Sequence, residues 1–236
     1  MDKLELTDAK ELTNQEKEVY RTLRTNLEFT GVENRVIAIT SCGPDEGKST
    51  VSYNLGRTLA SAGKTTLHID ADMRNPSLHK LFSLSSRNGL SEILAGLTDN
   101  ITVTKTGIEN LSILTSGKIP PNPTELLSSP RMDKLLDFVK ENYDCVFIDT
   151  PPINIVTDAT VFAQKTTGYI LIVKTDTTNV PELKASVTTL QSINANILGF
   201  IINDTNSEKK KYYSYYRKYS RSYSYNYKYT YGNDKR

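Results

Sequence analysis

The amino-acid sequence predicts an α/β fold, a doubly wound and mostly parallel sheet with helices on both of its faces. One observation behind this prediction is a series of short, nearly continuous runs of Val, Ile and Leu. Such runs are typical of strands that are buried on both faces of a parallel sheet. The other is that segments with helical periodicity alternate with these runs, which indicates successive βαβ units.

Each element is predicted from its local pattern. Strands are predicted at residues 36–40, 66–70, 111–114, 145–149, 169–173 and 197–202. Helices are predicted at about residues 15–29, 49–62, 130–140 and 180–193. In the first of these helices, Val19, Leu23 and Leu27 recur near helical spacing.

The chain has 236 residues, enough for one substantial α/β domain with appendages. We assign residues 1–30 to an N-terminal segment, polar and mobile to about residue 14, residues 31–206 to the main domain and 207–236 to a tail. The only cysteines, Cys42 and Cys145, fall in or at the end of predicted strands, which favours buried, reduced thiols over a redox role. No apolar run approaches the roughly 20 residues of a membrane span, so we expect a cytosolic protein.

A phosphate-binding loop is predicted between the first strand and the helix that follows it. Residues 41–50 read Ser-Cys-Gly-Pro-Asp-Glu-Gly-Lys-Ser-Thr, a P-loop in which Cys42 stands where the strict Walker A pattern has Gly. Backbone N–H groups of the loop and of the helix N-terminus would surround phosphate oxygens. Lys48 would reach the β- and γ-phosphates, and Ser49 would ligate Mg²⁺. The predicted nucleotide-binding residues are Gly43, Pro44, Asp45, Glu46, Gly47, Lys48, Ser49 and Thr50.

Three aspartates are predicted near this loop, at the ends of two further strands. Asp70 and Asp149 end predicted strands, and Asp72 lies just beyond Asp70. The carboxyl ends of parallel strands face the ligand crevice, where three carboxylates need a cation, and Mg²⁺ bound to ATP would supply it. Any one of them could instead be a simple turn-forming residue. The set predicts phosphoryl transfer, either to water or to a hydroxyl group.

The tail holds ten of the 14 tyrosines and contains no Leu, Ile, Val or Phe. Such a segment cannot bury enough apolar surface to offset its ordering entropy, so we expect it to be disordered. From residue 208 onward it has nine basic and two acidic residues, which gives it a charge of +7 on a body of −5. An exposed row of phenols tethered to a nucleotide site suggests an enzyme whose substrate is its own tail. The candidate phosphorylation sites are Tyr212, Tyr213, Tyr215, Tyr216, Tyr219, Tyr223, Tyr225, Tyr227, Tyr229 and Tyr231.

These motifs together resemble those of the bacterial tyrosine kinases, in particular the cytoplasmic capsule and exopolysaccharide kinases of Gram-positive bacteria. The resemblance covers roughly residues 15–236. It includes the P-loop, Asp-Ala-Asp-Met-Arg at 70–74, Ile-Asp-Thr-Pro-Pro at 148–152, and the segment 116–127 that begins Ser-Gly-Lys-Ile-Pro-Pro. It also includes Glu18, Arg21 and Arg24, which fit the family's Glu-x-x-Arg-x-x-Arg oligomerisation motif.

The resemblance implies a P-loop NTPase-type fold, ATP and Mg²⁺ as cofactors, and specific roles for the site residues. Lys48 and Thr50 would hold phosphates, and Ser49 would hold Mg²⁺. Asp72 and Asp149 would arrange the metal and its waters, with Asp70 accepting the tyrosine proton. Asn203 would contact adenine, although the next residue is Asp204 where the family tends to have Arg.

Two points remain open in the sequence. Arg74 either neutralises charge in the transition state or pairs with Asp70 or Asp72. The main alternative function is a partitioning-type nucleotide-switch ATPase, and the signature lysine of that class is replaced here by Gly43. A nucleic-acid binder, with tail tyrosines stacked on bases, is the second alternative, but no nucleic-acid partner is expected.

The resemblance also implies partners and a location. It implies an ATP-dependent, non-specific protein-tyrosine kinase that phosphorylates its tail in trans within a homo-oligomeric ring and regulates capsule or exopolysaccharide biosynthesis. A transmembrane activator, which acts as a polysaccharide co-polymerase, would hold the cytoplasmic kinase at the inner face of the membrane. Other protein-tyrosine substrates and a cognate tyrosine phosphatase are expected.

Overall fold

A computed structural model describes residues 11–31, 35–76, 78 and 88–204. The strands are β1 (Val36–Ser41), β2 (Thr66–Asp70), β3 (Thr104–Lys105), β4 (Leu111–Leu114), β5 (Cys145–Asp149), β6 (Gly168–Lys174) and β7 (Ile197–Asn203). The helices are α1 (Asn14–Phe29), α2 (Lys48–Ala60), α3 (Leu90–Leu94), α4 (Pro123–Leu127), α5 (Pro130–Asn142) and α6 (Val180–Ser192), with a 3₁₀ helix at Thr157–Phe162.

The strands form one seven-stranded sheet in the order β3-β4-β2-β5-β1-β6-β7. Every pairing is parallel except that of the edge strand β3 with β4. The first strand, β1, lies in the interior of the sheet between β5 and β6. The strands β2 to β5 lie on one side of β1, and the last two strands, β6 and β7, lie on its other side. This reversal places a ligand crevice at the carboxyl end of β1, as in other doubly wound folds. The predicted fold class is confirmed.

The sheet is buried on both faces because its strands carry apolar side chains at successive positions. On one face, α2 and the apolar side of α1 pack against alternate residues of β1, β5 and β6, among them Ile37, Phe147 and Ile172. On the other face, α5, α6 and the 3₁₀ helix cover Val36, Leu171 and their neighbours. The buried strands are therefore packed from both sides, and the loops at their carboxyl ends are attached to this packed core.

The helix α1 begins at a capping box, in which the Thr13 hydroxyl accepts from the Glu16 amide and the Glu16 carboxylate accepts from the Thr13 amide. Such a box satisfies N–H groups that the first helical turn otherwise leaves unpaired. Leu23 and Leu27 pack on the sheet as their spacing suggests, but Val19 is 44% exposed and Tyr20 packs there instead. The buried stripe thus starts one residue later than the sequence pattern indicated.

The remaining differences concern short elements. The two-residue β3, the five-residue helices α3 and α4, and the 3₁₀ helix were not predicted, because each is too short to show a periodic pattern.

Cys42 and Cys145 are buried free thiols as expected, and burial raises the pKa of Cys145 to about 12. The predicted disorder of residues 207–236, the ten tail tyrosines and most of the first 14 residues lie outside the described part. None of the described helices combines the length and the apolarity needed to cross a membrane.

Candidate active site

The loop between β1 and α2 has the geometry that a phosphate site requires. Gly47 caps the N-terminus of α2 with a left-handed φ of 87°, a conformation that favours glycine. A Cβ atom at Gly47 would also lie 2.2 Å from Nδ2 of Asn203, so a side chain there would displace the Asn203 amide. The N-terminus of α2, the part of a helix that favours anions, therefore begins directly after this glycine.

The carboxylates predicted at the strand ends converge beside this loop. β2 and β5 are neighbours, and Asp70 lies directly opposite Asp149 in their parallel register. Nζ of Lys48 lies 3.9 Å from Oδ2 of Asp72, with both side chains nearly buried. The structure therefore brings Lys48 and the three predicted aspartates together, which the sequence could propose only from their positions at strand ends.

Asp149 is in the least favourable environment for a charged group. It is fully buried, and within the described part of the chain neither of its carboxylate oxygens meets a donor at hydrogen-bond geometry. Burial raises the pKa of Asp149 to about 6, while the charge of Lys48 and the nearby Ser49 hydroxyl act in the opposite direction. A buried carboxylate without a full set of donors is a ligand ready for a cation.

Asp70 and Asp72 are better satisfied than Asp149. Oδ1 of Asp70 accepts from the Asp72 amide and Oδ2 accepts from the Leu78 amide, both at 3.2 Å. Burial, followed by the charge of Asp149, raises the pKa of Asp70 well above its ordinary value. Burial also raises the pKa of Asp72, against the opposing effects of the Asn75 amide and Lys48. All three carboxylates thus have a raised pKa, and among the described residues Lys48 is the cation that forms an ion pair with one of them, Asp72.

The residues present fit a magnesium ion that arrives with a nucleotide. The described residues contain no group of three His, Cys, Asp or Glu side chains arranged as a metal site. Mg²⁺ in nucleotide sites usually takes one or two carboxylates, waters and phosphate oxygens, so a protein cage is not needed. The incompletely paired Asp149, together with Asp72 and the Ser49 hydroxyl, offers this kind of partial ligand set.

A buried histidine on the neighbouring sheet supports the first turn of α2. His68 on β2 has its Nε2 atom 2.7 Å from the Ser52 hydroxyl, which in turn donates to the Ser49 carbonyl at 3.2 Å. Burial lowers the pKa of His68 to about 3, so the ring is neutral at physiological pH. These contacts hold the backbone of Ser49, and no sequence pattern indicates them.

Asn203 reaches the phosphate loop from the end of β7. Its side-chain amide donates to the Glu46 carbonyl oxygen at 3.0 Å and lies against Gly47. The structure thus places Asn203 at the predicted nucleotide site through a contact with the loop itself. Its predicted contact with adenine remains a prediction.

Arg74 pairs with neither Asp70 nor Asp72, and that alternative is wrong. Its guanidinium forms a bidentate pair with the fully buried Asp158, with Nε to Oδ2 at 2.7 Å and an Nη to Oδ1 at 3.0 Å. Thr124 donates to the same carboxylate at 2.6 Å. Although burial opposes it, hydrogen bonding to Arg74 and Thr124 lowers the pKa of Asp158. The segment that carries Asp72 is thereby tied to α4 and to the 3₁₀ helix.

Replacing Arg74 by Gln is expected to lower the free energy of unfolding by about 1–3 kcal/mol, because a buried carboxylate loses its charged partner. The figure is below the range for fully buried pairs since the Arg74 side chain is 43% exposed. Urea unfolding of Arg74→Gln, Asp158→Asn and the double variant would measure it. The double variant should recover part of the loss, and strictly additive losses would contradict the assigned pair.

The residues of the predicted oligomerisation motif make local contacts within α1. Arg21 pairs with Glu18, and Nε of Arg24 lies 3.7 Å from a carboxylate oxygen of Glu28. Glu18 and Arg21 have largely exposed side chains, whereas the side chain of Arg24 is 27% exposed. Glu18 and Arg21 thus lie on the exposed side of the helix, whereas Arg24 borders the side that packs on the sheet. The role of these charges between subunits remains a prediction.

Comparison with known proteins identifies the family. The AAA domain family model matches residues 34–197. The putative tyrosine-protein kinase CapB of Staphylococcus aureus is 37% identical over 202 residues, which cover 84% of this chain and 89% of CapB. The chain belongs to the bacterial tyrosine kinases. The tyrosine-protein kinase CpsD of Streptococcus agalactiae, another member, is 35% identical over 91% of this chain and 95% of its own length.

Solved structures agree with the assignment of the chain to this kinase family. The crystal structure of the chimerical protein CapA2B2 superposes with a TM-score of 0.75 at 39% identity, over 78% of this chain and 83% of that chain. The septum site-determining protein MinD of Pyrococcus horikoshii, in complex with Mg-ADP, has a TM-score of 0.62 at 24% identity over 75% and 72% of the two chains. At that identity the likeness shows a shared fold alone, so the switch-ATPase alternative has weaker support than the kinase.

Proposed function

We propose that this chain is an ATP-dependent protein-tyrosine kinase that phosphorylates the tyrosines of its own C-terminal segment in trans, and other protein tyrosines besides. The observation that carries the proposal is the convergence of Lys48 with Asp72 and Asp149 beside a phosphate-binding loop. The same chain carries ten tyrosines in its last 25 residues. Membership of the bacterial tyrosine kinases supports the choice of tyrosine over water as the phosphoryl acceptor.

The proposed roles follow from the charges in the site. The loop N–H groups and Lys48 bind and orient the phosphates of ATP, which concentrates positive potential where charge develops during transfer. Ser49, Asp72 and Asp149 would hold Mg²⁺, which neutralises phosphate charge when it is bound with ATP. An incoming anionic nucleotide alone would repel these carboxylates, so nucleotide and metal are expected to bind together.

Asp70 is the proposed proton acceptor for the tyrosine. The phenolic oxygen forms a bond to the γ-phosphorus, the bond from phosphorus to the β,γ-bridging oxygen breaks with departure of ADP, and the phenolic proton passes to Asp70. A phenol has a pKa of about 10, so a carboxylate takes its proton efficiently only late in the transfer. The position of Asp70 at the end of β2, directly opposite Asp149, supports this role.

Phosphorylation in trans requires a neighbouring copy within reach. About 25 extended residues at roughly 3.3 Å each span on the order of 80 Å, which is ample for a tail to enter the site of another subunit. We propose that Glu18, Arg21 and Arg24 contribute to a head-to-tail contact that closes into a ring. The exposed side chains of Glu18 and Arg21 on α1 support this proposal.

The proposed partner is a transmembrane activator that holds the kinase at the inner face of the membrane, and the proposed process is regulation of capsule or exopolysaccharide biosynthesis. A cognate tyrosine phosphatase would reverse the modification. The family resemblance supports each of these proposals, and the structural likeness to the chimerical protein CapA2B2 is compatible with a kinase that works beside a second polypeptide.

The intact mass of the purified chain after incubation with Mg-ATP tests the proposed activity. We expect stepwise additions of whole phosphoryl groups to the full chain, and none to a chain that ends at residue 206. The activator's cytoplasmic segment should be supplied in a parallel reaction, because the proposed activator is expected to support activity. Steady release of inorganic phosphate with no change in mass under both conditions would instead support a nucleotide-switch ATPase.

A further inference from the structure

The side chain of Glu46 is buried and folds back onto the phosphate loop to which Glu46 belongs. Glu46 is 2% exposed, and its Oε2 atom accepts from the Cys42 amide at 2.8 Å. Its other oxygen, Oε1, accepts from the hydroxyl of Thr178. A carboxylate is therefore buried within the loop that is expected to bind the phosphates, and a hydroxyl from a distant part of the sequence is one of its two donors.

Thr178 belongs to the connection between β6 and α6, immediately before the helix cap Asn179. Its hydroxyl oxygen also accepts from the backbone amide of Lys174 at 3.0 Å. The hydroxyl is thus fixed from both sides, as acceptor from the end of β6 and as donor to Glu46. Because the backbone amide sets its direction, its hydrogen is oriented toward the carboxylate.

Two further contacts join the same regions. Nζ of Lys174 donates to the Asp45 carbonyl at 3.2 Å, and the Asn203 amide donates to the Glu46 carbonyl at 3.0 Å. The carbonyl oxygens of the phosphate loop are consequently held toward the ends of β6 and β7. With its carbonyls engaged on that side, the loop presents N–H groups to the anion site.

Among these contacts with the phosphate loop, that of the Thr178 hydroxyl is critical because it is made to the negative charge of Glu46. A carboxylate next to a nucleoside triphosphate repels its phosphates unless hydrogen-bond donors stabilise the carboxylate and direct it away from them. Hydrogen bonds to charged groups are stronger than those between neutral groups, and a buried charge that loses one is costly. Without the Thr178 hydroxyl, Glu46 would have its negative charge less neutralised beside the phosphate site, and its loop would be less firmly placed.

We propose that Thr178, acting through Glu46, is a positioning residue that sets the affinity of the phosphate loop for the nucleotide and leaves the rate of phosphoryl transfer largely unchanged. This inference rests on the proposed function, since it assumes that the loop binds ATP. It assigns a role in nucleotide binding to a residue 132 positions away from Glu46 in the sequence.

The test compares Thr178→Val, which keeps the shape of the side chain and removes the hydroxyl, with Thr177→Val at the exposed neighbouring position. Titration calorimetry with MgADP should show a dissociation constant raised about tenfold in Thr178→Val and within twofold of the parent in Thr177→Val. Thr178→Ser, which retains a hydroxyl, should bind nearly as the parent does. In tyrosine phosphorylation, Thr178→Val should raise KM for ATP while kcat stays within about twofold.

Three outcomes would overturn the inference. Unchanged MgADP affinity in Thr178→Val excludes a role in nucleotide binding, and a lowered kcat with unchanged KM places the effect on the chemical step. Equal weakening in Thr177→Val and Thr178→Val indicates a general loosening of the connection. If Thr178→Val does not fold, Thr178→Ala replaces it under the same expectations. A parent chain that binds MgADP normally but transfers no phosphate refutes the proposed kinase activity alone, so the two failures are distinguishable.

Discussion

Replacing Lys48 by Met is expected to reduce tyrosine phosphorylation by at least about 100-fold, the usual cost of removing a preorganised electrostatic contact to the transition state. Lys48 is the one cation close to Asp72 among the described residues, and its ammonium lies 3.9 Å from that carboxylate. Methionine retains an unbranched side chain of nearly the same length and removes the charge. Incorporation of phosphate into the full chain, measured by intact mass over time, gives the rate.

Lys64→Met is the matched control for this substitution. Lys64 follows α2 at an exposed position, so the same loss of charge occurs on the same part of the chain but away from the loop. Its phosphorylation rate should remain within about twofold of the parent, as is usual for surface substitutions of small energetic effect. A Lys48→Met variant that retains more than a tenth of the parent rate would contradict the role assigned to Lys48.

Replacing Asp149 by Asn is expected to abolish phosphorylation and to stabilise the nucleotide-free fold at the same time. The pKa of Asp149 is raised from 3.8 to about 6, so folding disfavours its ionised form. The stability associated with its proton is fully present below about pH 3.8 and is lost as the pH rises through about 6. An uncharged Asn avoids this loss and should raise the free energy of unfolding by about 1–3 kcal/mol at pH 8.

Urea unfolding without nucleotide or Mg²⁺, at pH 8 and at pH 5, measures this effect. The advantage of Asp149→Asn should be largest at pH 8 and should shrink at pH 5, where the native carboxyl group of the parent is mostly protonated. Asp144→Asn is the control with the opposite sign, because hydrogen bonds from Thr65 lower the pKa of Asp144. A less stable Asp149→Asn variant at pH 8 would show that the charge of Asp149 is compensated in the empty site.

The sequence predicts the phosphate loop and the aspartates of the site because each of them directly follows or ends an apolar run. β1, β2 and β5 are apolar runs that end in the phosphate loop, Asp70 and Asp149, and parallel pairing brings such ends together. The positions of Lys48 and the aspartates after these strands are therefore enough to predict that they meet at one edge of the sheet. The short edge strand β3 and the helices α3 and α4 lack enough residues to show a period.

The contacts that hold the site in place could not be predicted in the same way. Arg74 and Asp158 are 84 positions apart, and Glu46 and Thr178 are 132 positions apart, so no spacing rule connects them. The sequence neighbours of Arg74 that the pattern suggests as partners, Asp70 and Asp72, accept backbone hydrogen bonds instead. Positioning contacts of this kind depend on how distant loops meet, and only the folded chain reveals them.

The central claim, a kinase whose substrate is the tail of another copy, is tested most directly by separating enzyme from substrate. A chain ending at residue 206 with Lys48 intact is mixed with full-length Lys48→Met in Mg-ATP, with the activator segment present, and the intact mass of each is read. The account predicts phosphoryl groups on the Lys48→Met chain in the mixture and none when that chain is incubated alone. A Lys48→Met chain that stays unmodified in the mixture, while the parent full chain phosphorylates itself, would contradict transfer in trans.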